Sequence, residues 1–429
     1  MMKSMDGWGQ KNLTELAEYI NGYAFKPEDW GENGLPIIRI EQLKKPNAPT
    51  DYFSGKLPAA QVIEDGDLIF SWSASLFLRI WQHGQAALNQ HLFKVVEREG
   101  VDRAFLKSFI EFYLPELTKA SHGSTMQHIT RKELERFTAL FPNSKDEQIK
   151  IAEILSTVDQ AIEQTEALIA KQQRIKTGLM QDLLNRGIDN HGNLRSEHTH
   201  DFKDSPLGKI PVEWEVRSLG ELVDEGITYG IVQAGPHIEN GVPYIRTGDM
   251  AGDAINVDEL LRTSQSIANS YKRATVYFGD IVFALRATVG KVLPVSKELE
   301  GANLTQGTAK ISPKKTIDST YLLWALQTAA VQYQISLHQK GTTFMEITLK
   351  DIRSLQVAVP VSQDEQKSIS EKLEKHNCLR VQYLQQLENL RSIKIGLMQD
   401  LLTGKRPVTA LLDETEVGDF ESEQIIPAN

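Results

Sequence analysis

The sequence predicts an α+β protein made of two homologous α+β domains separated by a pair of long antiparallel helices, a coiled coil with a pseudo-twofold internal repeat. Three observations predict it. The heptapeptide GLMQDLL occurs at 178–184 and again, unchanged, at 396–402. Blocks on the N-terminal side of each copy recur in the same order. Each copy then ends in a proline-free stretch of roughly forty residues with apolar positions three and four apart, the pattern of a long amphipathic helix.

The matched blocks define the domains, 8–143 and 208–361. KNLTEL (11–16) answers RSLGEL (217–222), with Trp8 answering Trp214, and GLPIIRIEQL (34–43) answers GVPYIRTGDM (241–250). EDGDLIFSWSAS (64–75) answers YFGDIVFALRAT (277–288), and SHGSTMQHITRKELERFTALFP (121–142) answers QKGTTFMEITLKDIRSLQVAVP (339–360). DEQ stands at 146–148 and 364–366. The offset between copies drifts early and then holds, as expected of unequal surface loops on one scaffold. Runs such as LPIIRI, GDLIFSW and HLFKVV, and their counterparts VPYIRT, GDIVFAL and TAKISP, are β-branched or aromatic and bounded by turn residues, so they read as strands. One helix is expected in each domain, RAFLKSFIEFYLPEL and STYLLWALQTAAVQYQISL.

The long helices are expected over 144–187 and 362–404. Ser144 with Glu147, and Ser362 with Glu365, fit capping boxes in which hydroxyl and carboxylate satisfy the first free amides. The seam of the first is Ile151, Leu155, Val158, Ile162, Ile169, Leu179 and Leu183; that of the second is Ile369, Leu373, Tyr383, Leu387, Leu390, Leu397 and Leu401. Gly187 and Gly404 mark the stops. At 1.5 Å per residue a span of about 39 residues is about 58 Å long, and its stripe must bury on its own domain or on the other helix. Mutual packing is the expectation, giving a rod with a lobe at each end. Residues 188–207 form a polar linker, and 405–429 an acidic, disordered tail.

Composition bounds the function. With 41% hydrophobic and 24% charged residues, the 429-residue chain reads as a globular protein of several domains. The start lacks the apolar core of a signal peptide, no apolar run is long enough to span a bilayer, and the single cysteine, Cys378, suits a reducing compartment. The expectation is a cytoplasmic protein with no membrane partner. The net charge of −10 is concentrated partly in the tail, so local basic surfaces remain possible elsewhere. Catalytic signatures are missing: no phosphate-binding loop (RATVGKV lacks its leading glycine and final hydroxyl), no HExxH, no GxSxG, no methyl-donor glycine loop and no NPPY-type strand end. The histidines of DNHGNLRSEHTHD (189–201) are read as part of a solvated linker rather than a metal site.

A duplicated, non-catalytic protein with two diverged lobes suits an object of matching twofold character, and duplex DNA offers half-sites about 34 Å apart per turn. The connector DSPLGKIPVEWEVRSLGELV, the lobe signatures SWSASLFLRIWQHGQAALNQHLFKV and GSTMQHIT/GTTFMEIT, and the two DEQ…IKxGLMQDLL helices together resemble the specificity subunit of type I restriction-modification systems. The resemblance covers nearly the whole chain, twice. It implies that each lobe is a target recognition domain reading half of a bipartite site in double-stranded DNA, with the helices as spacer. It further implies two methyltransferase (modification) subunits carrying S-adenosylmethionine, and two restriction subunits carrying the ATP- and Mg-dependent translocase and endonuclease. This chain would bind no cofactor or metal. A coiled-coil adaptor that binds only proteins is the competing reading.

The repeat also sorts candidate DNA contacts. Residues common to both lobes should be scaffold or shared phosphate contacts: Arg39/Arg246, Gly66–Asp67/Gly279–Asp280, Gln90/Gln306, Lys94/Lys310, Gly123/Gly341 and Thr125/Thr343. For the arginines, a phosphate contact and an internal ion pair are both open; the glycines suggest tight turns. Base readers should be polar and differ between lobes. The candidates are Lys44, Lys45, Arg79, His83, Gln85 and His128 in the first, and Gln233, His237, Arg286, Lys291, Lys340 and Thr342 in the second. Trp72, opposite Leu285, is expected in the core.

Overall fold

The structure is a computed structural model that describes residues 7–45, 47–120, 128–341, 345–408 and 411. The chain forms two compact units, Met1–Glu166 with Gln385–Asn429, and Ala167–Leu384. Each unit therefore contains one recognition-type domain, one half of the helix Lys145–Arg186 and one half of the helix Gln363–Leu401.

In the first unit an antiparallel sheet runs in the order Ala17–Asn21, Leu92–Glu97, Leu68–Ser71, Phe77–Ile80. The apolar run Leu68–Ser71 is buried along its whole length, as a central strand covered on both faces should be. A second sheet orders Tyr52–Phe53, Leu35–Ile38, Ala86–Leu88 and Val62–Ile63, with the middle two strands parallel. Strands Trp8–Asn12 and Thr138–Pro142 pair with Trp8 opposite Pro142, bringing the domain's two ends together. Phe70, Phe105, Phe109 and Phe141 form the centre of the core. Into that core go Ile151 and Leu155 from the start of the first long helix, and Leu401 and Leu402 from the end of the second. The two helices also touch directly: Lys394 pairs with Asp159 at 2.5 Å and Arg391 with Glu166 at 2.9 Å. Partner numbers fall along one helix as they rise along the other, so the pair is antiparallel.

The second unit repeats this plan. Its main sheet orders Thr228–Tyr229, Thr308–Ile311, Ile281–Ala284 and Val292–Pro294, and Trp214 again lies opposite a proline, Pro360. The core takes Ile369 and Leu373 from the start of the second long helix, with Leu183 and Leu184 from the end of the first. Each domain is thus gripped by the beginning of its own helix and the GLMQDLL end of the other. The duplicated heptapeptide fills the same notch in two copies of one fold. All fourteen seam residues are buried or half-buried, and the choice between packing on a domain and packing on the other helix dissolves: the helix ends do both.

Several expectations need correction. The single helix expected across STYLLWALQTAAVQYQISL is two, Ser319–Ala325 and Ala329–His338. Thr328 interrupts it, with extended backbone and its hydroxyl donating to the Ala325 carbonyl at 2.8 Å. The capping boxes form only by half. Ser144 and Ser362 Oγ accept from the Glu147 and Glu365 amides at 3.3 and 3.4 Å. The carboxylates instead accept from indole nitrogens, Trp8 Nε1 at 3.2 Å and Trp214 Nε1 at 3.1 Å. The connector is not simply solvated, since Ile188 and Arg195 are buried. Nor is the tail free from its start: Val408 is only 2% exposed, inside the first core. Most of the acidic tail lies outside the described residues.

Candidate nucleic-acid interface

Residues shared by the two domains turn out to hold the scaffold. Gly66 and Gly279 have φ of 92° and 94°, and the following Asp67 and Asp280 accept from the amides of Glu64 and Tyr277 at 2.8 and 2.9 Å. This is one turn, built twice, and only glycine adopts its backbone at little cost. Arg39 pairs with Asp51 at 2.7 Å and Arg246 with Asp249 at 2.6 Å, so both arginines are engaged internally. Lys94 pairs with Asp67, and Lys310, 3% exposed, with Glu225, each at 2.7 Å. Gly123, Thr125 and Thr343 lie outside the described residues.

The verbatim DEQ has a role that composition and spacing did not disclose. Gln148 and Gln366 are each 1% exposed. Gln148 donates to the Pro142 and Gly100 carbonyls and accepts from the Asp102 amide at 2.7 Å. Gln366 donates to the Pro360 and Thr316 carbonyls and accepts from the Asp318 amide at 2.8 Å. Each glutamine ties the last strand of its domain, the start of the domain helix and the start of the long helix together.

Of the first domain's candidate readers, Lys45, Arg79 and His83 are exposed. Lys44 donates to Ser75 Oγ at 2.6 Å, and Gln85 to Glu64 at 2.7 Å. His128 is half-buried, its ring 5.8 Å from that of Trp72. In the second domain Gln233 and Lys340 are exposed, and His237 accepts from the Arg262 amide at 3.1 Å. Arg286 pairs with Glu346 at 3.1 Å. Thr342 lies outside the described residues. Lys291 donates to the Ala251 carbonyl and lines a groove of about 530 Å³ that also includes Lys176, Asp253, Trp324 and Arg380. There burial, reinforced by the Arg380 charge, lowers the Lys176 pKa, while the hydrogen bond from Arg380 lowers that of Asp253. Many of the candidates lie apart, but Lys44 and His128 meet the Ser73–Ser75 turn of the first domain, and Arg286 and Lys340 both meet Glu346 in the second.

What does converge is the tip of one hairpin. Ala74 and Ala287 occupy the same place in the repeat and are the only non-glycine residues with positive φ among the described residues, at 61° and 59°. A left-handed alanine costs about 1 kcal/mol or more. Beside each, the residue one position earlier bridges to the segment preceding the next short helix, Ser73 to His128 and Arg286 to Glu346. The same backbone bond fastens both tips, from the Ile129 amide to the Trp72 carbonyl at 3.0 Å and from the Ile347 amide to the Leu285 carbonyl at 3.1 Å. Trp72 packs against its core only in part, while Leu285 is buried.

The family sequence model described as "Type I restriction modification DNA specificity domain" matches this chain twice, over residues 5–172 and 211–389. The chain belongs to that family. Members of it are the non-catalytic DNA-recognition subunits of restriction-modification systems, and this chain takes its place in such a complex and on DNA. It is 26% identical to the type I restriction enzyme EcoBI specificity subunit of Escherichia coli, over 86% of this chain and 79% of that protein. It is 25% identical to the MjaVIII specificity subunit of Methanocaldococcus jannaschii, over 93% of each. The fold matches the crystal structure of a type I restriction-modification S subunit from M. genitalium with a TM-score of 0.60, covering 94% of this chain and 97% of the other at 16% identity. Among the described residues, no helix is long and apolar enough to cross a membrane, and no group of three or more His, Cys, Asp or Glu is placed to hold a metal.

Proposed function

We propose that this specificity subunit reads a bipartite DNA site, one half with each domain, and that its paired helices fix the gap between the halves. The observation that carries the reading is the split between constant and variable positions. The turn aspartates, the buried glutamines and the Trp–Glu bonds are the same in both domains, while matched polar positions differ, Arg286 and Glu346 standing where the first domain has Ser73 and His128. A constant scaffold with altered polar groups is what two readers of unlike half-sites require.

On this reading two methyltransferase subunits dock on the helices and methylate adenine with S-adenosylmethionine, and two restriction subunits supply the ATP- and Mg-dependent translocation and cleavage. This chain contributes target choice and binds none of those cofactors, and it works in the cytoplasm, where the DNA is. The exposed face of each GLMQDLL end supports paired docking: Gly178 and Gly396, its first residues, both have open space beside them.

Mapping methylated adenines genome-wide, with the methyltransferase partner expressed with or without this chain, tests the proposal. One motif with two unlike halves and a fixed gap should appear only when the chain is present. An adaptor without selective DNA binding would leave the methylation pattern unchanged.

A further inference from the structure

At the strained hairpin tip the two domains share their backbone and differ in side chain. The left-handed alanine, the bridge and the amide-to-carbonyl bond are reproduced at matching positions. Around them the second domain carries Leu285, Arg286 and Glu346, and the first carries Trp72, Ser73 and His128. Backbone strain kept in both copies of a duplicated domain marks a conformation used for something other than stability.

The side chains are prepared for a polar ligand. In the second domain Arg286 Nε donates to Glu346 Oε2 at 3.1 Å, and the pair is about half exposed. The terminal nitrogens of Arg286 make no hydrogen bond among the described residues. A groove of about 260 Å³ opens beside the pair, lined also by Tyr229, Gln306 and Thr348. In the first domain two polar atoms at the tip, Trp72 Nε1 and His128 Nδ1, are shielded from solvent yet have no hydrogen-bond partner among the described residues, as is Gln90 Oε1 elsewhere in the domain. Gln90 is the counterpart of Gln306. Orphaned donors and acceptors of this kind are rare in a finished core and suit a surface completed by a ligand.

We propose that each tip carries the specificity-determining contact of its domain, Arg286 with Glu346 in the second and His128, beside the buried Ser73, in the first. The inference rests on the bipartite reading given above. In the second domain the chemistry selects a guanine–cytosine pair. The free edge of Arg286 donates to guanine O6 and N7 in the major groove, and Glu346, in ion-pair contact, holds the guanidinium plane or accepts from cytosine N4. In the first domain Ser73 is buried, 4% exposed, and the half-buried His128 is the polar ring beside it, so no guanidinium stands at the matching place and the first domain selects differently there.

The test exchanges the pairs and maps methylated adenines with the partner methyltransferase. Arg286→Ser with Glu346→His should change the preference at one base pair of one half-site about tenfold or more, with the other half-site unaltered. Ser73→Arg with His128→Glu should leave that half-site fixed and change the other. An unchanged motif from a folded variant overturns the proposal, and so does a uniform loss of methylation with the same base preferences, the signature of a phosphate contact. Should either double variant fail to fold, Glu346→Gln, which keeps shape and removes charge, decides: a relaxed base pair supports the assignment and an intact motif overturns it. A wild-type complex that shows no two-part motif would instead sink the bipartite reading itself.

Discussion

Glu147 and Glu365 hold the same position in the two copies and keep different company. Among the described residues, the Glu147 carboxylate accepts only from the Trp8 indole. Glu365 accepts from Trp214, from the Ile188 amide at 3.1 Å and from Arg195 through a two-pronged ion pair whose side chains are 8% and 9% exposed. Ile188 and Arg195 belong to the connector, and among the described residues nothing takes their place beside Glu147. The same glutamate fastens a long helix to a domain in both units. In the second it also anchors the chain that has just left the other helix. The comparison teaches that the duplication preserved the domain–helix joint and that the connector reinforces it in the second unit.

The largest expected effects fall on that joint. Trp214 is fully buried and Trp8 is 8% exposed. Trp214→Ala should cost about 4–5 kcal/mol and Trp8→Ala about 3 kcal/mol, because the first also strips a partner from a buried ion pair. Urea unfolding followed by circular dichroism measures both. Equal costs would mean that the connector adds nothing to the joint.

The buried glutamines give a control in which the two units should agree. Gln148→Ala and Gln366→Ala each leave a buried amide and carbonyls unpaired, and each should cost about 2–3 kcal/mol. A difference much above 1 kcal/mol would break the equivalence of the two scaffolds.

Gly187 sharpens the contrast further. Its φ is +64°, and an added Cβ would stand 2.3 Å from Glu365 Oε1 and 2.7 Å from Trp214. Gly187→Ala should cost about 2 kcal/mol. Gly178→Ala, in the same helix with open space around it, should instead stabilise by about 0.5–1 kcal/mol. The smallest effect is expected at the helix–helix ion pairs of the first unit. Asp159→Asn or Glu166→Gln should shift stability by less than about 1 kcal/mol, since all four side chains are partly solvated.

Much of this was legible in the sequence because duplication acts as an internal comparison. The strands, the long helices and their glycine stops followed from periodicity and turn residues. The seam positions read from spacing lie in the buried stripe, yet spacing could not say that GLMQDLL enters the core of a domain distant in sequence. Such a contact depends on topology. DEQ was visible as a repeat, but its division of labour was not: a glutamate three residues after a serine normally points back to the cap amide, and here a tryptophan indole outcompetes it. Residue type alone points to many candidate readers, of which Lys44, His128, Arg286 and Lys340 gather at the tips while others lie apart. Residue type does not single out Ser73 or Glu346, although matching the repeats places Ser73 opposite Arg286 and His128 opposite Glu346. Left-handed backbone at an alanine leaves no mark in composition, so the hairpin tip became visible only in three dimensions.

The measurement that bears most directly on the account is a change of helix length. Seven residues inserted at matching points of both long helices preserve the seam and lengthen each by about 10 Å, near three base pairs of duplex DNA. Methylation mapping should then return the same two half-sites with the gap between them wider by about three base pairs. A complex that still methylates at the original gap would contradict the idea that these helices set the distance between two readers.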